Sequence, residues 1–454
     1  MVYRARQGTI LMRLAGDVMP AQRLKPFGEA GYLDLVELMR GADVSFANLE
    51  TTVRRPDQGF PNSTRGTPMS TPPELLDELT WFGFDIFSCA NNHATDYGIG
   101  GLLATLDHLR ARNIPAAGSG RNLDEARKPA YLETAAGRIG LIAATSFFSP
   151  WTRAAPQRGD AAGRPGISPL EFSTVYGVDG ATFDLLGEAS RRLGLTNERA
   201  RHRAMFFSAN EAPADSDKVL NFLGHRFENR DAFSVSTKVN ASDAEDVLRW
   251  IREAKRQADW VIFSFHSHAF GGETFLTATD SVQCEEPAEF AVDFARAAVD
   301  AGADVVAGHG PHFTLGVELY RGKPIFYSLG NFIFQNDNVT TFPAESFARF
   351  GLGDKATPTE FLDARTGNET RGFPAAAEYW QSVVASCQFE GWALKSVRLH
   401  PVDLGFGTPR AQRGRPALAQ GETAQAILRR MARLSARYGT ELAIEGDTGV
   451  LRLA

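Results

Sequence analysis

The stretch AGADVVAGHGPHFTLGVELYRGKPIFYSLGNFIFQ, residues 301–335, decides the fold class of this chain. It contains a short apolar segment, Asp304–Ala307, that runs directly into the polar loop Gly308–His312. Two further apolar segments follow, Leu315–Leu319 and Pro324–Leu329, and the short connection between them predicts a β-hairpin. An apolar strand that ends in a loop of glycine, proline and histidine is typical of a sheet with a ligand site at its strand ends.

The chain on both sides of this stretch alternates between short apolar segments and amphipathic helical patterns. The sequence predicts further strands at Thr9–Ala15, Val44–Ala47, Phe84–Ser88, Ile114–Ala117, Ala130–Thr134, Arg138–Thr145, Trp260–Phe265 and Gly449–Leu453. It predicts helices at Gly31–Met39, Pro73–Phe82, Gly98–Arg112, Thr182–Leu193, Asp243–Gln257, Pro287–Ala301 and Thr423–Tyr438. Because strands that alternate with helices form βαβ units, we expect an α/β fold with a largely parallel central sheet.

Periodicity is lost in two parts of the chain, which separates a core from two irregular regions. We predict a single domain over residues 1–454, whose core comprises residues 9–146 and 239–335. Residues 147–238 are predicted to be an irregular insertion in the middle of the core, and residues 336–454 a C-terminal extension. We expect the insertion to help shape a substrate pocket.

The composition is that of an ordinary globular protein and excludes several classes. Apolar residues make up 43% and charged residues 22% of the 454 residues, which excludes a disordered, collagen-like or coiled-coil chain. The formal net charge is −6, which disfavours nucleic acid as a partner. Cys89, Cys284 and Cys387 form no CxxC pair, and no stretch has the pattern of a signal peptide or a membrane span. We therefore expect a reduced, cytoplasmic protein that binds no membrane.

Histidine, carboxylate and carboxamide side chains are concentrated directly after predicted strands. The groups are Gly16-Asp17, Asn48-Leu49-Glu50, Asn91-Asn92-His93, His266-Ser267-His268 and Gly308–His312. Because parallel strands end along one edge of a sheet, we expect these side chains to converge. Such a donor set fits a divalent metal, and a pair of ions suits a hydrolase in which one ion activates water and the other polarises the substrate.

Each candidate also has a purely structural interpretation. Asp17 alone is compatible with a turn, Glu50 with a solvated carboxylate, and Asn92 with a cap of the following helix. Their positions behind strands favour the site interpretation, and Asp96 is predicted to orient the imidazole of His93.

The roles of six residues stay less certain from the sequence. His266 and His268 would point to opposite faces of an extended segment, so at most one reaches the site unless the strand has ended, and His266 is preferred. Asn331 in SLGNF is interpreted as a turn residue in preference to a hydrogen-bond partner of the site. Binding of an anionic substrate and a place in a solvated loop stay equally open for three neighbouring arginines, Arg410, Arg413 and Arg415.

Four segments carry a resemblance to a known family. They are LAGDVMP (residues 14–20), FANLETTV (46–53), FDIFSCANNHATDYG (84–98) and the stretch at 301–335, in this order. The chain resembles the CapA family, named for poly-γ-glutamate capsule synthesis proteins, whose fold is that of the calcineurin-like metallophosphoesterases. The resemblance implies a four-layer α/β/β/α sandwich of metallophosphoesterase type with its site at the strand ends.

The resemblance also implies roles for individual residues. It places a divalent metal site, with one or two ions of Mn, Zn or Fe, at Asp17, Glu50, Asn92, His266, His309 and His312. It implies that His93 protonates the leaving group. The chain departs from the phosphoesterase pattern, because Met19 replaces a ligand histidine, Glu50 replaces an aspartate, and the last two histidines are three residues apart. His268 and Glu273 lie where the family prototype has a different motif, so no role transfers to them.

Three functions fit these residues. The first is a CapA-like metal-dependent hydrolase that acts on a peptide-like substrate, with a γ-glutamyl or other amide bond, or on a phosphorylated small molecule. The second is a peptide epimerase that needs neither metal nor cofactor, like some members of the family. The third is a non-catalytic binder of an anionic polymer such as poly-γ-glutamate. The catalytic acid and base of an enzyme are expected among Glu50, His93, His266 and His309. The expected partner is a small-molecule or peptide substrate, and the oligomeric state is left open.

Overall fold

A computed structural model describes residues 8–62, 66–206 and 215–453 of the chain. Its helices, α1 to α12 in chain order, span Ala30–Arg40, Glu74–Phe82, Gly98–Ala111, Leu123–Arg127, Gly180–Arg192, Leu195–Phe206, Ala241–Gln257, Gly272–Thr277, Glu289–Ala301, Ala344–Arg349, Pro358–Thr366 and Gly421–Ala436. Strands β1 to β12 span Thr9–Met19, Val44–Leu49, Thr52–Val53, Ser70–Thr71, Ile86–Ser88, Ala116–Ala117, Ser119–Gly120, Ala130–Glu133, Arg138–Thr145, Gly166–Ile167, Phe172–Val178 and Val219–Phe222. Strands β13 to β24 span His225–Asn229, Ser234–Val239, Trp260–His266, Val305–His309, Val317–Tyr320, Lys323–Phe326, Asn331–Phe334, Gln381–Glu390, Ala393–Asp403, Ala417–Leu418, Leu442–Glu445 and Thr448–Leu451.

The larger of two main sheets has ten strands and is built around β1. Its order is β23-β24-β21-β20-β1-β2-β5-β6, with β19 also paired to β1 and β22 to β21. The half formed by β1, β2, β5 and β6 is parallel, as the alternation of strands and helices predicts. The other half is antiparallel, because β20 runs against β1.

The second main sheet has six strands in the order β17-β18-β16-β15-β9-β8. The four inner strands are parallel to one another. The antiparallel hairpins β8–β9 and β17–β18 close its two edges, and the sequence predicts the hairpin β17–β18 and both strands of the other.

Alternate residues of the strands lie in two different apolar clusters. In β15, Trp260 and Ile262 share a cluster with Ile10 and other residues of β1, so this cluster lies between the two main sheets. Val261 and Phe263 lie in the second cluster, together with the apolar faces of α7 and α9. Successive side chains of a strand point to opposite faces, and both faces of β15 are therefore buried. The fold is mixed α/β, with helices packed outside two large sheets.

The prediction of an irregular C-terminal extension is wrong for residues 381–403. These residues form the hairpin of β20 and β21, and β20 lies beside β1 in the middle of the larger sheet. The strand was hidden because Ser382 and Ser386 interrupt its apolar residues, although both serines are buried. A pattern of hydrophobicity does not reveal buried polar residues.

The insertion, residues 147–238, is also more regular than predicted. It contains a four-stranded sheet in the order β12-β13-β11-β14 and the helices α5 and α6. Helix α5 coincides closely with the predicted helix Thr182–Leu193. The strands were missed because they are only half-buried, so charged residues such as those of β13 obscure the two-residue period.

Two findings bear on the expected cellular location. Within the described ranges, no helix combines the length and the apolar composition that a membrane span requires. The thiols of Cys89, Cys284 and Cys387 are free and buried. A cytoplasmic location stays a prediction.

Candidate functional site

The site lies where parallel strands of both main sheets end. Asp17 of β1 is opposite Asn48 of β2, and Glu50 follows β2 directly. His266 and His309 are the last residues of β15 and β16 and pair with each other in register. The carboxyl ends of parallel strands share one edge, so residues from distant parts of the sequence meet here.

Asp17, His266 and His309 form a first group of converging donors, and all three side chains are buried. The Nδ1 atom of His309 lies 3.4 Å and that of His266 3.9 Å from Asp17 Oδ1. The two Nδ1 atoms lie 2.9 Å apart, so at most one of them carries a proton towards the other. A carboxylate oxygen and two imidazole nitrogens aimed at one point form a donor set for a divalent metal.

Glu50, His268 and His312 form a second group beside the first. The Glu50 carboxyl is buried and meets the carboxyl of Asp17, and among the described residues no N–H or hydroxyl group donates to either of its oxygens. Imidazole nitrogens of His266, His93 and His312 lie 3.6, 3.8 and 4.0 Å from it. These distances are too long for hydrogen bonds. Because a buried carboxylate without a donor is costly, the arrangement suits a cation between these groups.

Burial sets the protonation of both groups. It raises the pKa of Glu50 well above the ordinary value, and the adjacent charge of Asp17 adds to this effect. It lowers the pKa of His309 to about 3, and it lowers the pKa values of His266 and His268 well below the ordinary value. The three imidazoles are therefore neutral near pH 7, which is the form that binds metal ions.

Two side chains hold the rings of the first group. Asn92 Oδ1 lies 2.7 Å from Nε2 of His266, and Ser264 Oγ lies 2.7 Å from Nε2 of His309. Both contacts engage Nε2 and leave Nδ1 of each ring facing Asp17. A hydrogen bond to the far nitrogen is the usual way in which proteins orient a metal-binding histidine. The residues present thus fit a metal ion.

His93 lies between the buried donors and the open part of the site. Its Nδ1 is 2.6 Å from Asp96 Oδ2, and 14% of its side chain is exposed. The same Asp96 oxygen accepts a hydrogen bond from the backbone N–H of Met69. Because a carboxylate accepts, Nδ1 of His93 carries a proton and Nε2 is left on the side of Glu50. Asp96 orients His93, as the sequence predicts.

His312 is held in a backbone conformation that residues other than glycine avoid. Its φ is 69°, in the left-handed region. Asn331 Nδ2 donates to His312 O (3.0 Å), and Asn331 Oδ1 accepts from His312 Nδ1 (2.9 Å). The interpretation of Asn331 as a turn residue is therefore wrong, because it begins β19 and positions the His312 ring.

A cleft of about 730 Å³ opens onto these residues, a volume typical of small-molecule sites. Four residues of the site line it: Asn92, His93, His268 and His312. Aromatic side chains form much of the remaining wall, and Phe147 stacks on His268 with the ring centres 4.2 Å apart. The fully buried donors Asp17, Glu50, His266 and His309 lie behind this lining.

A family model described as bacterial capsule synthesis protein PGA_cap matches residues 12–336 of the chain. The chain belongs to this family. The uncharacterized protein y4sH of Sinorhizobium fredii (strain NBRC 101917 / NGR234) is 34% identical, over 97% of this chain and 93% of that protein. The PGA biosynthesis protein CapA of Bacillus subtilis (strain 168) is 25% identical, over 70% of this chain and 64% of that protein. The capsule biosynthesis protein CapA of Bacillus anthracis is 22% identical, over 80% and 69%. The resemblance to the CapA family is confirmed.

In this PGA_cap protein the six residues predicted to hold metal lie together: Asp17, Glu50, Asn92, His266, His309 and His312. The preference for His266 over His268 needs a correction, because both reach the site. Strand β15 ends at His266, so the alternation of a strand does not extend to His268, whose Nε2 lies 3.1 Å from Nε2 of His266. Glu273 lies exposed on α8, outside both donor groups.

The sequence assigned no role to two supporting residues. Asn48 Nδ2 donates to Asp17 Oδ1 (2.8 Å), and its place in the NLE motif beside Glu50 was an available signal. The sequence does not point to Ser264, which contacts His309. A serine inside an apolar strand gives the same pattern whether it orients a site residue or only packs in the core.

The side chain of Arg413 is buried, whereas those of Arg410 and Arg415 are 20% and 19% exposed. Each pairs with carboxylates of the protein: Arg410 with Asp363 and Glu369, Arg413 with Asp337 and Glu369, and Arg415 with Glu29. A place in a solvated loop is therefore wrong for Arg413, which is buried, and the binding of an anionic substrate by these arginines stays a prediction.

Proposed function

We propose that this chain is a metal-dependent hydrolase that acts on a peptide-like substrate, with a γ-glutamyl or other amide bond, or on a phosphorylated small molecule. The observation that carries the proposal is Glu50, whose buried oxygens lack a hydrogen-bond donor within the described part of the chain and face imidazole nitrogens. A neutral residue would cost less at this position. A bound cation explains why a carboxylate is there.

The donors suit one or two ions of Mn, Zn or Fe. Asp17, His266 and His309 would hold one ion, and Glu50, His268 and His312 a second, with Asn92 beside them. When bound, such ions supply Lewis-acid activation of water and of the phosphoryl or carbonyl oxygen.

His93 is the residue best placed to act as general acid. It lines the cleft, and Asp96 fixes its ring through Nδ1, which leaves Nε2 for the substrate. With the ring doubly protonated, the leaving oxygen or nitrogen takes the proton from Nε2 as its bond breaks. The oxygen of water forms the new bond, and the proton that this water loses passes to solvent, from which Nε2 is protonated again. Asp96 also stabilises the protonated ring before the transfer.

The proposal extends to the architecture. The cluster between the two main sheets, with α1 and α2 packed outside one of them and α7 and α9 outside the other, supports a four-layer α/β/β/α sandwich of metallophosphoesterase type.

The alternative of a metal-free epimerase requires two groups that touch an α-carbon. Of the residues expected for it, Glu50, His266 and His309 have fully buried side chains, and only His93 lines the cleft. Reacting atoms approach to about 3–3.5 Å, so two groups on opposite sides of a carbon are separated by more than the 3.8 Å between His93 Nε2 and Glu50 Oε1. The third function, a non-catalytic binder of an anionic polymer, is also less suited to the site, because buried donors can hold a small ion but do not reach a long polymer. The geometry favours the hydrolase.

Metal content tests the proposal. Protein purified without a His-tag or chelator is compared by elemental analysis with the double variant His309→Ala/His312→Ala. His225→Ala, an exposed histidine outside the cluster, is the matched control. Near-stoichiometric Mn, Zn or Fe that disappears only in the double variant supports the hydrolase. Equal metal in all three proteins, or none after incubation with these ions, contradicts it.

The reaction is then followed with γ-glutamyl peptides and phosphate esters in D₂O, with the bound ion present. Cleavage that requires both the ion and His93 supports the proposal. Deuterium at an α-carbon without cleavage would instead favour the epimerase.

A further inference from the structure

Arg365 is a cation on the wall of the cleft that forms no ion pair with a carboxylate of the described residues. It lies on α11 and lines the same cleft as His93 and His312. Its Nη1 donates a hydrogen bond to Thr67 Oγ1 (2.5 Å). Within residues 8–62, 66–206 and 215–453, no carboxylate oxygen comes within ion-pair distance of its guanidinium.

The carboxylates near Arg365 are engaged by other arginines. Arg413 holds Asp337, with its Nε 2.7 Å from Oδ2, and also contacts Glu369. Asp363, two residues before Arg365 on the same helix, pairs with Arg410 at 2.7 Å. The network therefore satisfies Arg410 and Arg413, and among the described residues it leaves Arg365 with the hydroxyl of Thr67 but without a carboxylate.

Leaving this guanidinium unpaired is costly. Burial lowers the pKa of Arg365 below the ordinary value, and the charge of Asp337 opposes this only from beyond ion-pair distance. Arginine nevertheless stays protonated in proteins, so the charge persists in a partly desolvated position. A guanidinium kept in a cleft without a counterion is the arrangement by which proteins bind carboxylates and phosphates.

We propose that the cleft takes an anionic substrate, and that Arg365 holds a carboxylate or phosphate oxyanion that is separate from the bond that reacts. One molecule that fills the cleft of about 730 Å³ contacts both this arginine and the histidines, because they line the same space. The reacting bond rests on the proposed function, whereas the binding of the oxyanion does not. Arg365 is thus a binding residue that selects anionic substrates.

Oxyanion binding to the metal-free protein tests this inference without any catalysis. Metal is removed with a chelator, and the chelator is then removed by gel filtration, since it is itself an oxyanion. Isothermal titration compares glutarate with glutaramide, which has the same carbon chain without charge, and with inorganic phosphate. The proteins are the wild type, Arg365→Gln, Arg365→Lys and Arg429→Gln, an exposed arginine on α12 as control.

We expect the wild type and Arg429→Gln to bind glutarate or phosphate equally well and glutaramide much more weakly. Arg365→Gln should bind the oxyanion at least 10-fold more weakly, and Arg365→Lys should lie between, because lysine keeps the charge and loses the planar fork. The preference between glutarate and phosphate decides which oxyanion the site takes. Equal binding by Arg365→Gln and the wild type, or no oxyanion binding by the wild type, overturns the inference.

A measurement on the wild type covers the case in which the variants do not fold. Phenylglyoxal modifies accessible arginines, and mass spectrometry follows the peptide that contains Arg365. The preferred oxyanion should protect this residue and leave Arg429 unprotected, and equal modification with and without it counts against the inference. Metal content is measured on the same samples, so that failure of the metal site is distinguished from failure of the oxyanion site.

Discussion

Replacing Glu50 by glutamine is expected to stabilise the metal-free protein and to weaken its binding of metal. The side chain keeps its size and loses its charge. In the wild type both oxygens are buried without a hydrogen-bond donor in the described structure, and Asp17 lies close enough to raise the pKa of Glu50 further. A neutral amide at this position removes the repulsion and can donate to the surrounding imidazole nitrogens.

The magnitude follows from the contacts. An unsatisfied buried polar group costs about 1–3 kcal/mol, so the free energy of unfolding should rise by about 2 kcal/mol at pH 8. In a chain of this length that corresponds to a rise in Tm of roughly 2 °C. Saturating metal should stabilise the wild type by about 4 kcal/mol at 1,000 times Kd, and most of this gain should be absent from Glu50→Gln.

Glu78→Gln is the matched control, because Glu78 is a buried carboxylate whose oxygens are satisfied. They accept from Arg23 and from the backbone N–H groups of Leu24 and Lys25. Burial alone would raise the pKa of Glu78, but these donors lower it below the ordinary value. The same substitution should therefore lower Tm here by roughly 2 °C.

Differential scanning fluorimetry of the three proteins, with and without Mn or Zn after removal of the chelator, measures these shifts. Opposite signs for the two substitutions without metal are the expected result. The reasoning is refuted when Glu50→Gln loses stability as Glu78→Gln does, or when metal raises its Tm as much as that of the wild type.

Three further predictions concern single residues. Asp96→Asn should lower kcat by about 100-fold or more with metal content unchanged, because His93 loses the carboxylate that orients it; steady-state kinetics and elemental analysis check this, and loss of metal would show a different role. Asn331→Ala should raise the metal Kd roughly 10–100-fold by freeing the ring of His312, which competition with a chelating dye measures; an unchanged Kd would contradict the assignment. Burial lowers the pKa of His400 to about 4, with neighbouring arginines adding to the effect, so between pH 6.5 and 4 the unfolded chain takes up a proton that the folded chain does not. Acidification from pH 6.5 to 5 should therefore lower the free energy of unfolding of the wild type by about 2 kcal/mol more than that of His400→Gln. Urea unfolding at both pH values measures this difference, and an equal loss in the two proteins would count against the lowered pKa.

The part of the site that the sequence predicts is the part that parallel strands dictate. Asp17, Glu50, His266 and His309 each lie at or directly after a strand end, and the carboxyl ends of such strands coincide in space. A local pattern is therefore enough to bring them together. The family resemblance adds Asn92 and His312, because the pattern of hydrophobicity does not predict that these two residues lie near the other four.

The rest depends on the tertiary structure. The reach of His268 depends on β15 ending one residue after Phe265, and strand ends are set by pairing with β9 and β16. The place of β20 beside β1 joins residues nearly 400 positions apart. Which arginine stays unpaired in the cleft is likewise decided by Asp337 and its partner Arg413, both distant in sequence from the motifs.

The division between buried and open residues links stability to function in this protein. Asp17, Glu50, His266 and His309 have almost no exposed surface, while His93, His268, His312 and Arg365 line the cleft, where a substrate can reach them. Among the described residues, neither the Glu50 carboxyl nor the Arg365 guanidinium forms an ion pair with a group that is charged near pH 7, and a ligand is inferred at both places. Folding gains nothing from either charge, since a neutral residue would cost less at each position. Glu50 and Arg365 each destabilise the free protein, and both lie at the same cleft. A single complex explains both, in which a cation binds at Glu50 and an anionic substrate binds at Arg365.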